Sequence, residues 1–169
     1  MKIYIGADHA GFELKKKLMN FISKDLGLEV IDKGAFTLDK NDDYPDFIKE
    51  VATSVAGESN TFGIVIGGSG QGEAICANKI KGIRAALFYA KQLTTQDVDI
   101  EGNKSADPYE IVRLTRKHND ANVLSLGSRF LNEEEAKQAI KIFIETIFEK
   151  SLERHQRRIE KISKIENNN

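Results

Sequence analysis

Apolar and polar positions follow two different rhythms along this chain. Short, continuous apolar runs are typical of buried strands, and they predict five strands, at residues 2–7, 28–32, 62–66, 84–88 and 122–126. Between these runs apolar residues recur at helical spacing, which predicts helices at about 10–26, from Pro45, from Glu73, at about 108–119 and after Asn132. Strands that alternate with helices are typical of a parallel sheet covered on both faces, so we expect a doubly wound, Rossmann-like α/β domain.

The helix after the fifth strand has the clearest local signals. Asn132 is followed three residues later by Glu135, which predicts a capping box at the start of this helix. Its apolar stripe is expected to pack on the core, and it consists of Ile140, Phe143, Ile144 and Ile147.

Two segments depart from the alternation. Residues 91–107 are polar and lack a firm periodicity, so we expect a surface loop or hairpin there. The last part of the chain is strongly charged, and it predicts a C-terminal helix at about 150–166 followed by a frayed tail at 167–169. A helix this polar is stable only if another surface buries its narrow apolar stripe, and a partner chain is a candidate for that surface. The stripe consists of Leu152, Ile159, Ile162 and Ile165.

Length and composition narrow the class of protein. A chain of 169 residues fits a single domain with a sizeable core. The formal net charge of -1 gives no electrostatic reason to expect nucleic acid or an anionic membrane as a partner. No apolar stretch approaches the roughly 20 residues needed to span a bilayer, and the N-terminus lacks the apolar core of a signal peptide. The single cysteine, Cys76, excludes an internal disulfide, and these features together predict a cytoplasmic protein.

Polar side chains follow three of the predicted strands. Asp8 and His9 come after the first strand, a glycine-rich turn follows the third, and Ser128-Arg129 follows the fifth. Ligands of doubly wound sheets bind outside the carboxyl ends of the strands. We therefore expect a ligand site at this edge of the sheet.

The glycine-rich turn carries the most specific chemistry. Its glycines, at positions 67, 68, 70 and 72, allow several backbone N–H groups to point into one concavity, which favours an anion. Glu73 directly follows the turn, where it would repel a permanent anion such as phosphate. This pairing indicates a transient anion that Glu73 itself creates by removing a proton, although a glutamate there can also simply complement a helix dipole.

Five motifs in sequence order resemble the type B ribose-5-phosphate isomerases, a family that also includes subunits of galactose-6-phosphate isomerase. The motifs are GADHAGFELK at residues 6–15, DYPDF at 43–47, IGGSGQGEAICANKIKGIRAAL at 66–87, RKHNDANVLSLGSR at 116–129 and ERHQRRIEKI at 153–162. They cover nearly the whole chain except residues 91–107, which therefore look like an insertion.

The resemblance implies an aldose–ketose isomerase of the pentose phosphate pathway. It would interconvert ribose 5-phosphate and ribulose 5-phosphate through a cis-enediolate, without a metal or an organic cofactor. The resemblance also implies a homodimer, or a pair of dimers, in which each active site is built from both subunits. Some members carry a cysteine base directly before the glycine turn, where this chain has Gly67; others use a glutamate after it, and Glu73 matches them.

The same resemblance assigns roles to individual residues. Glu73 would be the base, Ser69 would help to relay the proton, and His118 would assist opening of the sugar ring. The other substrate-binding candidates fall into three groups: Gly68, Gly70, Gly72 and Asn119 for the enediolate and sugar hydroxyls; Asp8 and Tyr44 for the sugar; His9, Arg129, Arg154 and Arg158 for the phosphate. Taken singly, several of these residues have structural alternatives, because Asp8 can start a helix, Ser69 can shape a turn, and His118 can complement a helix C-terminus.

Three other interpretations stay open at the level of the sequence. The substrate can be a six-carbon sugar phosphate such as galactose 6-phosphate or allose 6-phosphate, because pocket size cannot be read from the chain. A nucleotide-binding module is less favoured, since the glycine turn follows the third strand and no ribose-binding acid lies about 20 residues on. A catalytically silent subunit is disfavoured by the full set of candidate residues.

Overall fold

The computed structural model describes residues 1–167 and contains a five-stranded parallel sheet. The strands are β1 (Lys2–Ala7), β2 (Glu29–Asp32), β3 (Thr61–Gly67), β4 (Ala85–Phe88) and β5 (Val123–Gly127). They lie in the order β2-β1-β3-β5-β4, and every neighbouring pair is parallel. The predicted doubly wound sheet is confirmed, and each strand lies within a residue or so of its predicted position.

Six α-helices alternate with or follow the strands. They are α1 (Phe12–Asn20, continued by a π-helical turn at Phe21–Asp25), α2 (Tyr44–Gly57), α3 (Gln71–Ala77), α4 (Glu110–Asn119), α5 (Glu133–Glu145) and α6 (Glu153–Asn167). Across residues 1–167, none of these helices has the length and apolarity required to cross a membrane.

The strand pleat divides the core between the two faces of the sheet. On one face Ile3, Ile5 and the alternate residues of β3 and β5 pack against α1, α4 and α5. On the other face Tyr4, Val65 and Val123 pack against α2 and α3. Successive side chains of a strand point to opposite faces, so near-continuous apolar strands are what a sheet buried on both sides requires.

The strand order places a topological switch between β1 and β3. From β1 the chain moves outward to β2, whereas from β3 it moves toward the other edge, to β4 and β5. The helices that follow β1 and β3 lie on opposite faces, because α1 packs in one core cluster and α3 in the other. This arrangement leaves a crevice at the carboxyl ends of the two strands, where such folds bind ligands.

The start of α5 agrees with the sequence prediction, but its end does not. Asn132 accepts a hydrogen bond from the backbone N–H of Glu135, and the Glu135 carboxylate accepts one in return from the Asn132 N–H, which completes the capping box. The helix ends at Glu145, and Thr146 is extended. The prediction that Ile147 belongs to the core stripe is therefore wrong, since the residue lies beyond the helix and is 81% exposed.

The two unusual segments have the predicted secondary structure. The segment 91–107 forms a loop without helix or strand, closed at its base by the Gln92 N–H, which donates to the Pro108 carbonyl at 3.0 Å. In α6, Ile159 is half-buried, whereas Ile162 and Ile165 are exposed and line an open groove of about 720 Å³ beside the edge strand β4. The predicted tail begins at Asn167, which still ends α6, and residues 168–169 lie outside the described part of the chain.

Candidate active site

The crevice at the switch point gathers nine of the thirteen candidate residues that the sequence singles out. Asp8 and His9 follow β1, the turn from Gly68 to Gly70 follows β3, and Gly72 and Glu73 lie in the first turn of α3. Tyr44 opens α2, and Arg129 follows β5. Because all five strands are parallel, these residues share one edge of the sheet.

The glycine turn is fixed from behind by its carbonyl groups. The Gly67 and Gly68 carbonyls accept the backbone N–H groups of Ser128 and Arg129, at 2.8 and 3.1 Å. The Gly70 carbonyl accepts the buried hydroxyl of Ser125 at 2.6 Å, and Gly70 itself has a φ of 77°, in the region that favours glycine. Within residues 1–167 the N–H groups of Ser69 and Gly70 make no hydrogen bond, so they are free to bind an oxygen atom of a ligand.

Glu73 lies buried directly behind this turn. Its side chain is enclosed to the point that the residue is only 4% exposed. Burial raises the pKa of the Glu73 carboxyl, and the nearby Asp8 carboxylate raises it further, while a backbone hydrogen bond acts in the opposite direction. A carboxylate that is costly to keep ionised gains from taking up a proton, which is the property of a general base.

The Glu73 carboxylate occupies space that exists only because residue 67 is glycine. A Cβ atom built at Gly67 would overlap the Glu73 carboxylate. In some members of the family that this chain resembles, residue 67 would be a cysteine. Here the Glu73 carboxylate fills the space that such a side chain would take. Cys76 lies one turn further along, half-buried, and burial raises the pKa of its thiol, which keeps it protonated and unsuited to act as a base.

Two further side chains pack against the backbone of the turn. The Tyr44 ring lies on Gly72, where an added Cβ would come within 2.8 Å of the ring. The Arg129 guanidinium lies on Gly68, where an added Cβ would come within 3.0 Å of its central carbon. These contacts place an aromatic wall and a positive charge at the rim of the crevice.

Asp8 and His9 form the part of the crevice nearest β1. Asp8 accepts hydrogen bonds through Oδ1 from the backbone N–H groups of Ala10 and Gly11, at 3.0 and 3.2 Å. The N-cap of α1 is Gly11, so Asp8 shapes the turn before the helix instead of capping it. His9 is held by Asp42, whose Oδ1 lies 2.6 Å from His9 Nδ1.

The four remaining candidate residues lie at the other end of the strands, beside their amino ends. His118 and Asn119 end α4, which leads into the amino end of β5, and the Glu149 N–H donates to the Lys117 carbonyl just before α6 begins. A strand rises about 3.3 Å per residue, so β5 alone separates the two edges by more than about 10 Å. Within one chain, therefore, the structure does not bring His118, Asn119, Arg154 and Arg158 to Glu73.

A second polar cluster surrounds His118. Its ring stacks on that of His155, with centroids 4.3 Å apart and planes 10° from parallel. Glu149 Oε2 lies 3.9 Å from Nε2 of both rings. Burial lowers the pKa of His155, and the nearby His118 and Arg154 lower it further. These effects favour a neutral His155 ring, on which the His118 ring stacks. The cavity beside them, of about 310 Å³, is lined also by Asp99 and Asn103 of the 91–107 loop.

Two groups of side chains in the described structure bring three potential metal ligands within 4.8 Å of one another. One is Asp8, His9 and Asp42; the other is His118, Glu149 and His155. In the first group the Asp42 and His9 atoms already pair with each other. In the second group Arg154 Nε lies 3.4 Å from His155 Nε2, and its positive charge opposes a cation there. Neither group requires a metal, and the absence of a metal cofactor stays a prediction.

Sequence reasoning missed the roles of four residues that shape these sites. Asp42 immediately precedes the DYPDF motif, but 33 positions separate it from His9, and no local pattern links the two. Ser125 was hidden inside an apolar strand, where one small polar residue carries no signal. Glu149 and His155 lie in a charged segment, in which a buried histidine looks the same as an exposed one.

Comparison with protein families identifies the chain's relatives. The model of the family described as Ribose/Galactose Isomerase matches residues 3–102 and 105–162. The match includes most of the 91–107 loop, so the interpretation of that loop as an insertion stays a prediction.

Individual relatives agree with the family match. The chain is 37% identical over 166 residues to ribose-5-phosphate isomerase B of Mycobacterium leprae, covering 98% of this chain and 90% of the relative. It is 38% identical over 165 residues to ribose-5-phosphate isomerase B of Escherichia coli, covering 98% and 96%. The crystal structure of ribose-5-phosphate isomerase B from Mycoplasma genitalium with bound ribulose-5-phosphate superposes with a TM-score of 0.82 at 37% identity, covering 99% of this chain and 97% of the other.

Proposed function

The chain belongs to the ribose/galactose isomerase family, and we propose that it interconverts ribose 5-phosphate and ribulose 5-phosphate, a reaction of the pentose phosphate pathway. The observation that carries the proposal is the buried Glu73 carboxylate behind a turn with free backbone N–H groups. Aldose–ketose isomerisation moves a proton between C2 and C1 and leaves a negative charge on an oxygen. Glu73 can transfer the proton, and the free N–H groups of the turn, held at a fixed distance from it in the chain, can bind the negatively charged oxygen.

Glu73 acts as the base in this proposal. Its carboxylate removes the C2 proton of the open-chain aldose, the electron pair forms the enediolate, and the protonated carboxyl then delivers the proton to C1. The proton is retained throughout, so no external acid or base is consumed. Ser69, at the tip of the turn, can hydrogen-bond the O1 and O2 atoms between which protons must be exchanged.

The glycine turn stabilises the enediolate. The N–H groups of Ser69 and Gly70, held by the three anchored carbonyls of the turn, donate to the oxygen on which charge develops. Donors fixed before the reaction need not reorganise during it, and removal of one such donor typically costs about 2.7–4 kcal/mol of transition-state stabilisation. Asp8 and Tyr44 at the rim are placed to contact the sugar.

Phosphate binding and ring opening require residues from both edges of the sheet. His9 and Arg129 supply positive charge in the crevice itself. Arg154 and Arg158 lie four residues apart on α6 and can share one anion, while His118 and Asn119 would act on the sugar ring. A second copy of the chain can bring these four residues to the crevice, so the proposal includes a homodimer with shared sites. Because its charged substrate does not diffuse across a bilayer, the enzyme would act in the cytoplasm.

A substrate panel tests the proposed reaction. The purified protein is expected to isomerise ribose 5-phosphate faster than galactose 6-phosphate, allose 6-phosphate or unphosphorylated ribose, measured as kcat/KM for each sugar. Preference for a six-carbon phosphate would overturn the substrate assignment, and no isomerisation of any phosphorylated sugar would overturn the activity.

Two matched substitutions test the base. Glu73→Gln cannot accept the proton, and it is expected to lower kcat by about 10²–10⁴-fold, the usual cost of a lost general base. Cys76→Ala is expected to turn over normally, because the thiol is protonated and one helical turn away. Normal turnover by Glu73→Gln together with an inactive Cys76→Ala would contradict the assignment.

A further inference from the structure

Asp42 is bound to His9 more closely than to any other described residue. It lies in the loop before α2, and its Oδ1 accepts the His9 backbone N–H at 3.1 Å and lies 2.6 Å from the ring atom Nδ1. The Asp42 side chain is 8% exposed, and within residues 1–167 its second oxygen, Oδ2, is buried without a hydrogen-bond partner. The carboxylate therefore has His9 as its main compensation.

This contact fixes the direction of the His9 ring. A carboxylate only accepts hydrogen bonds, so the proton between the two groups belongs to His9 Nδ1. The other ring nitrogen, Nε2, is then left for a ligand, and the His9 side chain is 31% exposed. A ring held at one nitrogen by a buried carboxylate presents the other nitrogen in one orientation, as in many metal and catalytic sites.

The charges around His9 also favour its cationic form. The hydrogen bond to Asp42 raises the pKa of His9, and the Asp8 carboxylate, with Oδ2 at 3.9 Å from Nδ1, raises it further. Burial and the Arg129 guanidinium act in the opposite direction. An imidazolium donates from Nε2, and charge-assisted hydrogen bonds to phosphate are the strong ones.

We propose that Asp42 is the positioning residue for phosphate recognition: it anchors His9 through Nδ1 so that Nε2 points at the phosphate group of the substrate. This proposal rests on the proposed function only in naming ribose 5-phosphate as the substrate. The role of Asp42 in phosphate binding can be measured without turnover. A purely structural role for Asp42 explains less, since among residues 1–167 its only side-chain partner is His9, and α2 begins without a side-chain cap.

Substitutions of Asp42 test the proposal against a matched neighbour. Asp42→Ala removes the anchor, and it is expected to raise KM for ribose 5-phosphate and the Kd for inorganic phosphate by about tenfold, the scale of one weakened charge-assisted hydrogen bond, with kcat changed less than KM. Asp42→Asn keeps an acceptor and the shape, and is expected to fall between Asp42→Ala and the parent. Asp43→Ala removes the same charge from the next, exposed residue and is expected to leave both constants unchanged.

Two readouts separate positioning from folding. Ring titration by NMR, assigned with a His9→Ala variant, is expected to show a lower His9 pKa in Asp42→Asn, so phosphate binding is lost at a lower pH than in the parent. In the His9→Ala background, Asp42→Ala is expected to cause little further loss of phosphate affinity. An unchanged Kd for phosphate in Asp42→Ala, an unchanged His9 titration, or full additivity with His9→Ala would each overturn the proposal.

The phosphate and NMR measurements do not require turnover. If the protein fails to isomerise ribose 5-phosphate but the His9 titration and the phosphate Kd respond as described, the substrate assignment fails and the role of Asp42 stands. If the protein isomerises ribose 5-phosphate normally but neither the His9 titration nor the phosphate Kd responds to Asp42 substitution, the substrate assignment stands and the proposed role of Asp42 fails.

Discussion

Gly67 and Glu73 occupy complementary space behind the glycine turn. The backbone hydrogen of a glycine at 67 is the only group small enough to leave room for the Glu73 carboxylate. The identity of residue 67 therefore decides where the carboxylate lies, although Gly67 makes no hydrogen bond to the ligand site itself. The family resemblance implies a base that is either a cysteine before the turn or a glutamate after it. The overlap gives a physical reason why residue 67 must stay small when residue 73 is the base.

Gly67→Ala is predicted to disable the enzyme by displacing Glu73. The added methyl group would force the carboxylate out of its buried position, so kcat should fall by an amount comparable to the loss in Glu73→Gln, on the order of 10²–10⁴-fold. Turnover is measured together with the melting temperature, to separate displacement from unfolding.

Two comparisons make the Gly67 prediction specific. Gly57→Ala adds the same methyl group where nothing lies within 4 Å, and it should leave turnover unchanged. In a Glu73→Ala background, Gly67→Ala should cause no further loss, since the carboxylate with which it clashes is gone. A Gly67→Ala enzyme with parental kcat would show that the buried position of Glu73 is not needed for catalysis.

Two hydrogen bonds close the 91–107 loop at its base. Gln92 donates to the Pro108 carbonyl at 3.0 Å, and the Thr94 hydroxyl donates to the Ser105 carbonyl at 2.9 Å. At its tip Asp99 accepts from the backbone and side chain of Asn103, at 3.0 and 2.6 Å. The tip contributes Val98, Asp99, Glu101 and Asn103 to the cavity beside His118 and Arg154.

Shortening the tip of this loop is predicted to preserve the chemistry. Replacing residues 96–104 by a short Gly/Ser link keeps the hydrogen bonds at the base, and turnover of ribose 5-phosphate should stay within about tenfold of the parent because exposed loops tolerate such changes. KM is measured alongside kcat, since the tip lines a cavity that contains Arg154. A folded but inactive deletion would instead mark the tip as a wall of the working site.

The two polar clusters of the protein lie at opposite ends of the parallel strands. Glu73 and the glycine turn are at the carboxyl edge, whereas His118 and Arg154 are at the amino edge. No movement of a side chain can span a strand of five residues. The apolar residues Ile162 and Ile165 of α6 are exposed beside the edge strand β4, and the proposed homodimer would bury them if its interface includes this groove.

Complementation between inactive chains tests the shared site. In a hybrid dimer of Glu73→Gln and His118→Ala chains, one site carries both substitutions and the other carries neither, so mixing should restore activity that each variant lacks alone. Hybrids are isolated through two different affinity tags and assayed with ribose 5-phosphate. Purified hybrids that remain as inactive as the parent variants would argue against sites built from two chains.

Local patterns in the amino-acid sequence were enough to predict the elements of this protein and nine of the residues of its candidate site that lie close together. Continuous apolar runs such as 62–66 are only stable when both faces are buried, so they predicted the parallel sheet. In a parallel sheet the carboxyl ends of all strands lie on one side, and there Asp8, the glycine turn and Arg129 follow their strands. The motifs identified the family, and the position of Glu73 directly after the turn fixed its register with the backbone donors. Local spacing carries this information because a turn and the first residues of a helix are neighbours in sequence and in space.

Which distant residues meet depends on the packing of the elements and could not be predicted from the sequence. The anchoring of His9 by Asp42 joins two loops, the stacking of His118 on His155 joins two helices, and the burial of Glu73 depends on the space left at Gly67. The exposure of Ile147 likewise depended on where α5 ends, because an apolar residue two positions past the last helical residue, Glu145, loses the face on which it would pack. Contacts between segments depend on how the elements pack in three dimensions, and the hydrophobic pattern of a single segment does not record them.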